Sequence, residues 1–260
     1  MSLFKRYIGI DYSGARTPEA SLPGLRVFIA NGSEIPQEVN PPPSPRKYWT
    51  RRGLALWITT ILKETSPTIV GIDHGFSFPI AYFEKYKIQH NWDVFLSDFC
   101  AHWPTDTPNT YVDFIRDSIL GHGADRTGDR KWRRITEMRA PHTHSVFHFD
   151  VQGSVAKSTH AGIPWLHYLR RELGASIYFW PFDGWSPPND SLVIAEVYPS
   201  IWRHLYPDEG RTPDQQDAFA VCRWLQETDR TSDLNRFFNP RLDSNELSIA
   251  NIEGWILGVS

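Results

Sequence analysis

The chain alternates short, wholly apolar runs with longer stretches of helical period. Residues 6–11 (RYIGID) and 24–30 (GLRVFIA) read as strands, the second closed by the turn signal NGS. The proline-rich stretch PQEVNPPPSPRK that follows reads as a surface loop. Residues 50–64 (TRRGLALWITTILKE) place Leu54, Leu56, Trp57, Ile61 and Leu62 at helical spacing. TIVGID, 68–73, is again a continuous apolar run, of the kind found in parallel strands buried on both faces. Strand, strand, helix, strand predicts the opening of an α/β domain, with the helix as a crossover.

Residues 80–160 read as an insertion. They hold two predicted helices, near 91–103 and 109–120, and the polar loop GHGADRTGDRKWRRITEMRA. The pattern then predicts a helix at 163–173, strands at 176–180 and 191–198, and a helix at 213–227 that Thr212 caps and Pro213 starts. The terminal run EGWILGV suits a final strand or a cover.

Composition narrows the class only a little. At 260 residues, 40% hydrophobic and 22% charged, the chain suits one large domain carrying an insertion. A net charge of −3 does not announce a nucleic-acid binder, although local patches matter more than the sum. Cys100 and Cys222 form no C-x-x-C pair and are expected as buried thiols of a reducing compartment. No apolar run nears the roughly 18 residues of a membrane span, and no signal-like segment precedes the first strand. The expectation is a soluble, cytoplasmic protein with no membrane partner.

The phrase GID occurs twice, as YIGIDYSGA and IVGIDHGFS. Along a strand, alternate residues share a face, so Gly9 clears space beside Asp11 and Gly71 beside Asp73. In open α/β sheets functional groups gather at the carboxyl ends of strands. Two neighbouring strands ending this way would set two carboxylates side by side, where one takes a proton or a cation sits between them. Each aspartate alone is as readily a turn former. Glu196, inside the apolar run SLVIAEVYP, needs a partner if buried. Asp214 and Asp217 are three apart in PDQQDAFA and face the same way on a helix, where acids in the first turn also suit the helix dipole. Ala218, Phe219 and Ala220 beside them suggest a helix packed closely on the sheet.

The order IGIDYSGA, VGIDHGFSFP, AEVYPSIWR, DQQDAFAV resembles the RuvC-type branch of the RNase H-like superfamily. More closely, it is similar to the predicted nucleases called domain of unknown function 429. The likeness covers roughly residues 6–228, weakly over 80–160. It implies an RNase H-like α/β fold: a mixed sheet of three antiparallel strands followed by parallel ones, flanked by helices. It also implies a nuclease that hydrolyses phosphodiester bonds with two Mg²⁺ or Mn²⁺ ions roughly 4 Å apart. Carried over by position, the catalytic acids are Asp11, Asp73, Glu196 and Asp217, and the metal ligands Asp11, Asp73, Asp214 and Asp217. The RuvC pattern usually has Glu at its second acidic position, where this chain has Asp73.

Two basic clusters with interleaved aromatics suit a phosphate backbone and stacked bases, or else are solvated faces. One holds Arg126, Arg130, Lys131, Trp132, Arg133 and Arg134; the other includes Arg51 and Arg52. Ser13, His74 and Lys157 stand as supporting candidates beside the acids. His142, His144 and His148 share a face if they lie on a strand, yet read better as polar surface than as metal ligands. Two other functions remain open: a phosphotransferase related to actin and sugar kinases, and a non-catalytic RNase H-like binding module.

Overall fold

The computed structural model describes residues 2–43, 46–64, 66–150 and 155–260. Among them, six strands form one mixed sheet in the order β3-β2-β1-β4-β6-β5. The strands are β1 (Arg6–Asp11), β2 (Arg26–Asn31), β3 (Gln37–Glu38), β4 (Thr68–Asp73), β5 (Tyr178–Trp180) and β6 (Leu192–Glu196). β1, β2 and β3 pair antiparallel, whereas β1, β4, β6 and β5 run parallel.

The period of two along the central strands divides the core. Ile8, Ile10, Val70, Ile72 and Ile194 enter one apolar cluster; Tyr7, Ile69, Val193 and Ala195 enter the other. Helices α1 (Arg51–Leu62), α3 (Trp92–His102) and α6 (Ala156–Leu173) supply the first layer. Helix α7 (Pro213–Arg230) supplies most of the second, together with the short α8 (Leu234–Phe238). Helices α2 (Ile80–Tyr86), α4 (Val112–Arg116) and α5 (Ile135–Arg139) lie in the stretch between β4 and α6.

Three predicted elements differ in extent. Helix α4 covers 112–116 rather than 109–120, and Ser118, at φ +59°, ends it in a left-handed turn. Helix α6 begins at 156, not 163, and runs through Pro164. A proline there cannot bond the carbonyl of His160, one turn earlier. The Thr105 hydroxyl donates to that oxygen instead, at 2.7 Å. The EGWILGV tail is a cover, not a strand. It follows α9 (Ser244–Glu253) and buries Trp255, Ile256, Leu257 and Val259, and the Leu257 amide donates to the Glu196 carbonyl at 2.9 Å. Among the described residues no helix is long and apolar enough to cross a membrane. Cys222 is buried and Cys100 only partly so.

Candidate functional site

The parallel register of β1 and β4 pairs Gly9 with Gly71 and Asp11 with Asp73. All four lie on the face that α7 covers. A methyl group at Gly9 would stand 2.2 Å from the Ala218 carbonyl oxygen and 2.5 Å from the Cys222 amide nitrogen. At Gly71 it would meet Val221 at 2.7 Å. The two glycines therefore let α7 lie directly on the sheet, so that its first turns reach the strand ends carrying the aspartates. Helix α7 starts as the sequence predicts, with Pro213 first and a reciprocal cap: Thr212 Oγ1 accepts from the Gln215 amide and Gln215 Oε1 from the Thr212 amide.

Four carboxylates, Asp11, Asp73, Asp214 and Asp217, thus face one another electrostatically. Burial first, then Asp73, Asp217 and Asp214, holds the Asp11 carboxyl well above the ordinary range, against a lowering pull from Arg203. Burial first, then Asp217 and Glu196, raises Asp73 in the same way. Asp217 is pushed up to about 6, mainly by burial and also by Asp214, with Arg203 pulling it back. No hydrogen bond contributes to the shift of either strand aspartate. Asp217 Oδ1 is buried without a hydrogen-bond partner. As placed, no group of three or more His, Cys, Asp or Glu among the described residues is tight enough to hold a metal ion. Asp217 leans on Arg203, whose Nη1 stands 3.2 Å away.

Glu196 reaches these acids through its charge on Asp73 but is bonded elsewhere. The register sets it beside Ile72, so it leaves the sheet on the opposite face. There it is 3% exposed and takes a two-pronged ion pair from Arg134, at 2.5 and 2.7 Å, plus the Phe76 amide at 2.9 Å. This corrects one expectation: Arg134 is buried on Glu196 rather than offered to a nucleic-acid backbone. Arg134 is fully buried between Glu196 and Glu137 and also donates to the Glu253 carbonyl. Burial raises Glu137, and only Arg134 keeps that carboxyl from rising further.

Arg51 is a second correction. It is fully buried and donates to the carbonyls of Ser13, Ala15 and Arg16, clamping the loop that leaves Asp11. Arg52 is tied to Glu19 and the Asp106 carbonyl. Arg126 pairs with Asp98, and Arg133 donates to Glu137 and Thr143. Trp132 packs on the core with Lys85 over its ring. Of that cluster, Arg130 and Lys131 are the exposed cations whose side chains show no partner among the described residues.

The supporting candidates divide. Ser13 and Asp214 both lie against Gly24, which puts Ser13 at the rim of the acids. His74 is buried between Tyr12 and Phe76, with Nδ1 on the Gly75 carbonyl, and burial lowers it to about 4. It is neutral at physiological pH, next to Asp73 in the chain. The backbone of Lys157 presses on Gly14, where a methyl would stand 2.2 Å from its carbonyl, but its ammonium pairs with Asp113 at 2.8 Å rather than with the acids. His142 lies on a turn, at φ +57°, and His144 and His148 in irregular loop, none of them on a strand. His142 and His144 line a small cleft of about 40 Å³ that opens beside Asp73.

Sequence reasoning missed Arg203. It follows the EVYPSIW stretch on a single 3-10 turn, and no local pattern ties it to a helix segment fourteen residues on. A roomier cleft of about 540 Å³ lies outside α1, lined by Pro41–Pro43, Tyr48 and Trp57 among others, and shares no residue with the acids. No family model, curated protein or solved structure matches the chain.

Proposed function

We propose that the protein is a divalent-metal-dependent nuclease that hydrolyses phosphodiester bonds at Asp11, Asp73, Asp214 and Asp217. The observation that carries this reading is the pairing of Asp11 with Asp73 at two adjacent parallel strand ends, on the face that α7 covers with Asp217. The strand order supports it: three antiparallel strands followed by parallel ones is the arrangement that the resemblance to RNase H-like proteins implies.

Carboxylate oxygens are the donor type that hard cations take. Asp11, Asp73 and Asp217, each raised by burial first and then by neighbouring acids, are carboxyls that Mg²⁺ or Mn²⁺ would neutralise. Asp11, Asp73 and Asp217 would hold the ions, and Asp214, beside Ser13 at the rim, would orient a water. Bound there, the ions would activate that water and steady the leaving oxygen. The chain itself supplies a pre-set frame. Arg51 fixes the loop after Asp11, and His74, next to Asp73 in the chain, is locked between Tyr12 and Phe76. Arg130 and Lys131 offer exposed positive charge to a nucleic-acid backbone.

The test is a cleavage assay with Mg²⁺ and Mn²⁺ on single-stranded, duplex and branched DNA and RNA, run beside Asp11→Asn. Metal-dependent cutting that the variant loses is the expected result. Equal cutting by both proteins would refute the site. Mn²⁺ binding without cutting of any substrate would favour the non-catalytic binding module.

A further inference from the structure

Among the described residues, Arg203 is the cation that pulls on both Asp11 and Asp217, and nothing in the sequence pattern marks it. Its main chain is held firmly. Gln216, the neighbour of Asp217, donates through Nε2 to the Arg203 and Tyr206 carbonyls at 3.3 and 2.7 Å. Trp202 stacks on Trp224 of α7, with ring centres 3.9 Å apart and planes 9° from parallel. The turn that carries Arg203 is therefore fastened to the helix that carries Asp217.

The side chain is held loosely by comparison. It is 41% exposed, against 17% for Asp217. A single nitrogen, Nη1, stands 3.2 Å from both Asp217 oxygens. Asp217 Oδ1 gains no hydrogen bond from this contact. A guanidinium that grips a carboxylate as a permanent partner uses two nitrogens in a fork, as Arg134 does with Glu196. Arg203 touches Asp217 with one nitrogen, and no contact of its Nε or Nη2 is seen among the described residues.

We propose that Arg203 is the phosphate-binding residue of this site, resting on Asp217 as a counter-ion that a divalent cation displaces. The inference rests on the metal-site reading above. A cation arriving at Asp217 neutralises the charge that holds Nη1. The planar fork, fixed at its base by the pinned turn, is then free to take a phosphodiester oxygen pair at the rim. Cation and arginine compete for Asp217 when no substrate is bound, and they cooperate once a phosphate is present.

The experiment uses the full chain with Arg203→Gln and Arg203→Lys. Mn²⁺ binding is followed by calorimetry without substrate. Binding of labelled single-stranded and duplex oligonucleotides is followed by anisotropy in Ca²⁺. Arg203→Gln should bind Mn²⁺ about tenfold more tightly and oligonucleotide about tenfold more weakly, the scale of one charge-assisted contact. Arg203→Lys keeps the charge but not the fork, so its Mn²⁺ affinity should stay near wild type while oligonucleotide binding stays impaired. Mn²⁺ affinity equal in wild type and Arg203→Gln would overturn the counter-ion role. Unchanged oligonucleotide affinity would overturn the phosphate role. If wild type and Arg203→Gln both fail to bind Mn²⁺, the metal reading itself falls and this inference falls with it.

Discussion

Asp11→Asn should make the metal-free protein more stable, although it removes the residue at the centre of the proposed site. β1 and β4 are adjacent parallel strands, about 4.8 Å apart, and Asp11 pairs directly with Asp73 on one face. Two carboxylates about 5 Å apart repel by about 3 kcal/mol at an effective dielectric constant of about 20. Both residues keep a minor share of their surface in water and one can take a proton, so a net gain of about 1–3 kcal/mol is expected when one charge is removed. The sign has a pH signature. A carboxyl raised in the folded state binds its proton more tightly there than in the unfolded chain. Wild-type stability therefore falls as pH rises from the ordinary carboxylate range through the raised values, a window running from about 4 to about 6 for Asp217 and opening upward from the same range for the strand pair.

Urea unfolding in EDTA at about pH 8 and about pH 4 would measure this. Asp11→Asn should be the more stable protein at the higher pH, and the gap should shrink at the lower. A variant that is less stable at pH 8, or a gap that does not change with pH, would show that the aspartates are not in repulsive contact. The shared-site argument would then lose its basis.

Two further substitutions separate frame from site. Glu196→Gln should cost about 3–5 kcal/mol in urea unfolding, because it leaves the buried Arg134 guanidinium with Glu137 as its remaining carboxylate partner, while Mn²⁺ affinity changes little. A loss of Mn²⁺ binding in a variant that still folds would return Glu196 to the metal site. Gly9→Ala should cost more than the roughly 1–3 kcal/mol of ordinary overpacking, since the methyl would press on the α7 backbone rather than on a yielding side chain. It should also weaken Mn²⁺ binding in calorimetry, because α7 carries Asp214 and Asp217.

What could be read from the sequence was what local period encodes. RYIGID and TIVGID announced buried strands, and PDQQDAFA announced a capped helix, because apolar runs and cap residues act over a few positions. The convergence of Asp11 with Asp73 was legible only because the same phrase recurs in parallel strands. The partner of Glu196 hung on a single residue of register. Had Ala195 been the acid, it would have stood beside Gly71 on the α7 face; one step further along, Glu196 turns to Arg134 instead. The basic clusters misled for a similar reason. A run of arginines shows charge but not which carbonyls and carboxylates lie within reach, and Arg51 bonds carbonyls at least 35 residues away while Arg134 bonds Glu196, 62 residues on.

The same reasoning explains why the arginines that looked available are buried and one that drew no attention stands at the acids. A guanidinium taken out of water needs several acceptors, and a loop or turn with unsatisfied carbonyls supplies them. Arg51 closes the loop after β1 on three carbonyls, and Arg134 closes the core behind β6 on two carboxylates and a carbonyl. Both are spent on holding strand ends in place. Arg203 has one carboxylate, gripped with one nitrogen, on a side chain two-fifths open to water. Of the three it alone can change partner without unfolding its surroundings, which is the property that a phosphate contact beside a cation site requires.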